Sequence, residues 1–185
     1  MAARASGVKT GDSMFHPQGP TLLDLAVQAL SSTDRGYDLL APRFDVTPFR
    51  TPDDLLAVVA SHLQSGPPIQ RAVDLCCGTG AGIRMLRPLV RELVVGVDRS
   101  AGMLDQAQVQ SRTMPGQAPV HLVRADVMDA PFQGQFDVAT CFGAFGHIQA
   151  PDEPRFAASV FQMLRPGGRF VFVSSEMPSR LSRGY

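Results

Sequence analysis

Three glycines at alternate positions close the run Ala72-Val73-Asp74-Leu75-Cys76-Cys77-Gly78-Thr79-Gly80-Ala81-Gly82. An apolar strand that enters a helix through such a run can bend tightly and admit a ligand without a Cβ in the way. The helix N-terminus beyond it offers N–H groups to an anion. By itself the loop fits a plain tight turn as well as a binding site. Val94-Val95-Gly96-Val97-Asp98 separates the two, because it sets a carboxylate at the tip of the next strand, where both hydroxyls of a ribose can donate to it. Ser100 is the better helix cap, which leaves Asp98 for the ligand. Together these residues predict a nucleotide-type cofactor bound by residues 72–104. Asp74 fits two roles equally, a structural acid at a strand end or a partner for a ligand ammonium.

Other reactive side chains are few. Cys76, Cys77 and Cys141 are the only cysteines, and they form no CxxC pair. Adjacent Cys76 and Cys77 lack zinc-ligand spacing, so no metal is expected. An odd count on apolar segments is the pattern of reduced, buried thiols in a cytoplasmic protein.

The elements that must position the loop can be read from periodicity. A helix is expected over Thr21–Leu30 and a linker with Tyr37, Phe44 and Phe49 over Ser31–Arg50. Thr51-Pro52-Asp53-Asp54 reads as a helix start: a hydroxyl cap, a first-turn proline, then acids at the positive helix end. That helix carries Leu55, Leu56, Val59 and Leu63 and stops before Gly66-Pro67-Pro68. Beyond it strands and helices alternate. Strands are expected at Arg71–Cys76, Leu93–Val97, Val120–Val123, Phe136–Cys141 and Arg169–Val173, the last after a turn at Pro166-Gly167-Gly168. Helices are expected around Ile83–Val90, broken at Pro88, then from Ser100 to about Gln110, and over Pro154–Leu164. This alternation predicts an α/β fold with a parallel sheet covered on both faces. Residues 1–20 read as a loose tail, 21–68 as an N-terminal helical lid region and 69–175 as the core of one domain within 21–185.

Composition excludes several classes. Of 185 residues, 44% are hydrophobic and 18% charged, the balance of an ordinary globular chain. The formal net charge is zero, so no global field favours nucleic acid or an anionic membrane. No window approaches the roughly 18 apolar residues of a membrane span. Residues 1–20 lack the apolar core of a signal peptide.

The motifs resemble those of the class I S-adenosylmethionine (SAM)-dependent methyltransferases, in particular the small-molecule group, over Tyr37 to Val173. Val73–Gly80 is similar to that family's first motif except at Cys76, where glycine is usual. Gly96–Leu104, with Asp98, Arg99 and Met103, resembles its ribose-binding segment. Arg124-Ala125-Asp126-Val127 resembles its adenine segment, implying that Asp126 accepts from the exocyclic amine and Val127 donates its backbone N–H. Phe136-Asp137-Val138 and Leu164-Arg165-Pro166-Gly167-Gly168 match the fourth strand and the turn before the fifth. The resemblance implies a Rossmann-like doubly wound sheet in the order 3-2-1-4-5 and SAM as cofactor, with contacts from Gly78, Gly80, Cys76, Cys141 and Phe142. It implies a lid in which Tyr37 and Arg43 close over the cofactor. It also places Cys141–Ile148 at the methyl-transfer pocket, where His147 is available as a general base or as a packing residue.

The family's sheet ends in an antiparallel pair for which Ser174–Tyr185 offers no strand pattern. Either the chain is a fragment or its fold is cut short, and either lowered stability or a partner or second copy covering the exposed fifth strand is expected. The reading is a methyltransferase acting on a small-molecule acceptor. The alternatives are a non-catalytic SAM-binding protein and an NAD(P)-dependent oxidoreductase. The oxidoreductase would need glycine where Ile83 stands.

Overall fold

A computed structural model describes residues 33–142 and 148–173 of the chain. The predicted helix over 21–30, the tail and residues 174–185 lie outside them. Among the described residues five parallel strands, β1 (Ile69–Leu75), β2 (Val90–Asp98), β3 (Val120–Arg124), β4 (Phe136–Cys141) and β5 (Leu164–Phe172), form one sheet in the order β3-β2-β1-β4-β5.

The register explains why the central strands read as unbroken apolar runs. Ala72 pairs across the sheet with Val94 and Val138, and all three side chains enter one core. One residue on, Val73 pairs with Val95 and Ala139, and these enter the core on the other face. Both faces are therefore buried, as crossover connections require. The first face is covered by α2 (Asp53–Gln64), α3 (Ala81–Leu86) and α4 (Ala101–Ser111), through Leu56, Leu63, Ile83, Leu86 and Leu104. The second is covered by α5 (Glu153–Met163), through Phe156, Val160 and Met163.

Three local expectations change. The supposed linker is mostly helical: α1 spans Thr33–Leu40 and a 3₁₀ segment spans Ala41–Val46. Gly36 and Pro42 weaken any intrinsic signal, and contacts with α4 hold the segment instead. Thr51 does not cap α2; the N-cap is Pro52, and Asp53 pairs with Arg50 and Arg84. The Pro166-Gly167-Gly168 turn is absorbed into β5 as an irregularity, with Gly167 at φ 79° and a register shift between Phe136 and Val138.

Other expectations hold. The third helix ends at Leu86, before Pro88, and Arg87 donates from Nε to Ala118 O (2.8 Å) and from Nη1 to Ser111 O (2.8 Å) and Met114 O (2.9 Å). Ser100 caps α4 by accepting from Met103 N–H at 3.1 Å. Among the described residues no helix is long and apolar enough to cross a membrane.

Candidate cofactor site

The C-terminal ends of β1, β2 and β4 open into a cavity of about 470 Å³, within the range of small-molecule sites. Its floor is the turn after β1. Cys77 N–H donates to Val97 O at 2.9 Å and Gly80 N–H to Cys77 O at 2.9 Å, which folds the chain back over the sheet. Cys76 takes a left-handed φ of 52°, a conformation that costs an L-residue about 1–2 kcal/mol and suits the glycine usual at this position. Gly78 also has a left-handed φ of 51°, and a Cβ there would have nothing within 4 Å. It is the opening through which a ligand meets bare backbone.

Gly80 has a different task from the one expected. A Cβ there would sit 2.9 Å from Met114 Cε and 3.5 Å from Ala107 Cβ, so this glycine lets the loop pack on the α4 region and does not line the cavity.

Asp98 stands at the tip of β2, as the sequence indicated. Its Oδ2 accepts from Gly78 N–H at 2.8 Å and its Oδ1 from Ser100 N–H at 2.9 Å. The carboxylate thus locks the glycine loop while facing the cavity. A carboxylate has about four acceptor positions, so orienting the loop is compatible with receiving ribose hydroxyls. Beside it Asp126 Oδ1 accepts from Met128 N–H at 2.9 Å, and Oδ2 lies 3.4 Å from Arg99 Nη1. Arg99, Met103, Asp126 and Val127 all line the cavity. Val127 is fixed from behind, its carbonyl accepting from Ser159 Oγ at 2.6 Å.

Asp74 is buried at the base of the cavity. Its Oδ1 accepts from Thr140 Oγ1 at 2.7 Å. Burial pushes its pKa up to about 7, with the Asp98 charge adding to the rise, while the Thr140 hydroxyl and the Ile83 backbone N–H oppose it. A raised carboxyl pKa means that the folded chain keeps a proton the unfolded chain releases above about pH 3.9. Stability from this group is complete below that value and is lost as pH rises through about 7. Urea unfolding between pH 4.5 and 7.5 is expected to show wild type weakening with pH. Asp74→Asn, which retains the acceptor for Thr140, is expected to give a flatter profile over the same range.

Gly82 explains itself beside this acid. A Cβ would lie 2.6 Å from Asp74 Oδ1 and 2.7 Å from its Cγ. Alanine normally favours a helix over glycine by about 1 kcal/mol. Here the clash with a fixed, buried carboxyl decides the sign. Gly82→Ala is expected to destabilise the chain by about 1–3 kcal/mol in urea titrations.

The N-terminal segment forms the roof. Tyr37 and Phe44 lie 6.5 Å apart, tilted by 57°, and both line the cavity. Burial raises the Tyr37 pKa, and the nearby Asp98 and Cys76 raise it further. Arg43, expected to share this role, is exposed and lies outside the cavity wall; Arg50 lines it instead, oriented by Asp53. Arg50, Phe44, Phe49 and Met128 are among the wall residues that the sequence did not point to. Spacing gave no signal for them, since 3₁₀ and turn contacts bring them in. Phe142 and Ile148 line the far wall, with Asp152 and Arg155 at its rim.

Cys141 is fully buried beneath this wall and does not line it. It touches the Cys76 thiol, and that contact, together with burial, pushes the Cys76 pKa up, so Cys76 is held as a neutral thiol. All three cysteines are free thiols. His147, the candidate base, lies outside the described residues.

Known proteins match this arrangement. The model of a methyltransferase domain family matches residues 72–168. A 2-phytyl-1,4-naphtoquinone methyltransferase of Nostoc punctiforme is 34% identical over 127 residues, covering 67% of this chain and 53% of that protein. A demethylmenaquinone methyltransferase of Lactiplantibacillus plantarum is 33% identical over 125 residues, covering 64% and 49%. The chain thus spans about half the length of these curated relatives. In fold it superposes on a DhpI–SAH complex with a TM-score of 0.64 at 23% identity, covering 77% of this chain and 70% of that one.

Proposed function

The chain belongs to the class I SAM-dependent methyltransferase family, and from that premise we propose that it transfers the methyl group of SAM to a flat, largely apolar, quinone-like small molecule. The observation that carries the cofactor half is the pairing of Asp98 with Gly78: a carboxylate at the tip of β2 faces a cavity into which a Cβ on Gly78 would project with nothing within 4 Å. That cradle fits a ribonucleoside with a charged tail. Asp98 would take the ribose hydroxyls, Asp126 and Val127 the adenine edge, and the α3 end of the loop the carboxylate.

When bound, the group supplies a methyl carbon made electrophilic by its sulfonium. The residues of the chain orient the partners and exclude water. The aromatic faces of Tyr37 and Phe44 suit a cation. Alignment of the electron-rich ring carbon of the acceptor with the methyl needs positioning more than a reactive side chain, and positioning alone is worth roughly 7–11 kcal/mol in the best intramolecular cases. His147 is the residue proposed to take the acceptor's proton.

The quinone-like acceptor is supported by the activities named for the two relatives and by the apolar wall of Phe49, Phe142 and Ile148. The test is formation of S-adenosylhomocysteine (SAH) from SAM and a reduced 1,4-naphthoquinone lacking a ring methyl. Product formation that His147→Gln slows without weakening SAM binding supports the reading. Tight SAM binding with no turnover of such quinols removes that acceptor class.

A further inference from the structure

The segment carrying Tyr37 and Phe44 is fastened to the cavity rim at two points, and a carboxylate makes each fastening. Asp38, on α1, accepts at Oδ1 from Ser100 Oγ at 2.6 Å and from Gly102 N–H at 2.9 Å. The close approach depends on Gly102, where a Cβ would lie 3.0 Å from Asp38 O and 3.1 Å from Asp38 Cα. An anion at the first turn of an eleven-residue helix is also favoured by the helix dipole. The hydrogen bonds from Ser100 and Gly102 hold the Asp38 carboxyl below its ordinary range.

Asp45, on the 3₁₀ segment, makes the second fastening. Its Oδ1 accepts from Thr79 Oγ1 at 2.6 Å and its Oδ2 from Gln110 Nε2 at 2.6 Å. Thr79 is buried within the glycine loop, and Gln110 belongs to the last turn of α4. One side chain therefore joins roof, floor and flanking helix. Tyr37 and Phe44 each precede one of these acids by a single position, so both roof rings are anchored by their immediate neighbours.

We propose that Asp38 and Asp45 are positioning residues that latch the aromatic roof over the cavity and so set how slowly the nucleoside cofactor leaves. The proposal rests on the reading of the cavity as a SAM site. Neither acid lines the cavity, so their effect must pass through the roof. Alanine at 45 offers no acceptor to either Thr79 or Gln110.

The test measures SAH dissociation by stopped flow and hydrogen exchange over residues 33–50, on the full chain. Asp45→Ala and Asp38→Ala are each expected to speed dissociation roughly tenfold, with association little changed, because hydrogen bonds to a charged group are lost. Exchange should quicken within 33–50 and stay slow in β1 and β4. Gln110→Ala, which leaves the carboxylate and the cavity wall intact, should give a smaller change in the same direction. It also serves if an aspartate variant fails to fold. Dissociation unchanged in the folded variants, or exchange over 33–50 unchanged, overturns the latch. If wild type binds no SAH, the cofactor reading fails, and exchange alone then decides the latch: faster exchange in Asp45→Ala upholds it and unchanged exchange refutes it.

Discussion

Asp98→Ala is expected to weaken SAM binding by at least about 100-fold. Hydrogen bonds to a charged group contribute roughly 1.5–3 kcal/mol each, so losing two from ribose hydroxyls is enough for that change. The substitution also removes the acceptor for Gly78 N–H and Ser100 N–H, which loosens the floor that the cofactor meets. Asp98→Asn should fall between, since an amide keeps one acceptor oxygen. Calorimetric titration of the three proteins with SAM reads the order directly. Affinities within threefold of one another would show that Asp98 serves only the loop.

Asp137→Ala is expected to be the most damaging substitution for stability and to spare the cofactor site. Asp137 lies at the opposite end of the sheet from the cavity, near the start of β4, with 5% of its surface exposed. Its Oδ2 accepts from Gln70 N–H at 2.6 Å and Arg71 N–H at 2.8 Å, fastening the start of β1 to β4. Its Oδ1 pairs with Arg165 on β5. One buried carboxylate therefore joins three adjacent strands. Removing it leaves two backbone donors without their charged acceptor and a half-exposed guanidinium without its anion; two hydrogen bonds to a charged group account for about 3–5 kcal/mol. For a chain of this size that lowers Tm by roughly 10 °C. Thermal melts with and without SAM test both halves: a large drop in Tm, and an unchanged stabilisation by the cofactor. A Tm within 2 °C of wild type would contradict the role given to Asp137.

The sheet was legible in the sequence because a doubly covered parallel strand must be nearly continuously apolar, as Val94–Val97 is. The glycine loop and Asp98 were legible because their chemistry depends on neighbours in the chain and on one strand-to-strand spacing. The errors have a common origin. Gly80 and Gly78 look alike in sequence, and only the packing of Met114 and Ala107 shows which one faces the core. Arg43 and Arg50 are equally plausible cations, and the turn centred on buried Thr47, whose Oγ1 donates to Phe44 O at 2.7 Å, decides which reaches the cavity. The helix over 33–40 was missed because its support comes from Ser100 and Gly102, more than sixty residues away. Likewise, the Asp in Phe136-Asp137-Val138 was read as part of a motif, while its work of tying three strands together appears only in three dimensions.

The central claim is that residues 72–104, with Asp126 and Val127, hold SAM in preference to other ribonucleoside cofactors. Titrating the wild-type chain in parallel with SAM, SAH and NAD tests it most directly. The expected result is one-to-one binding of SAM and SAH and no binding of NAD. Binding of NAD alone, or of none of the three, would contradict the account.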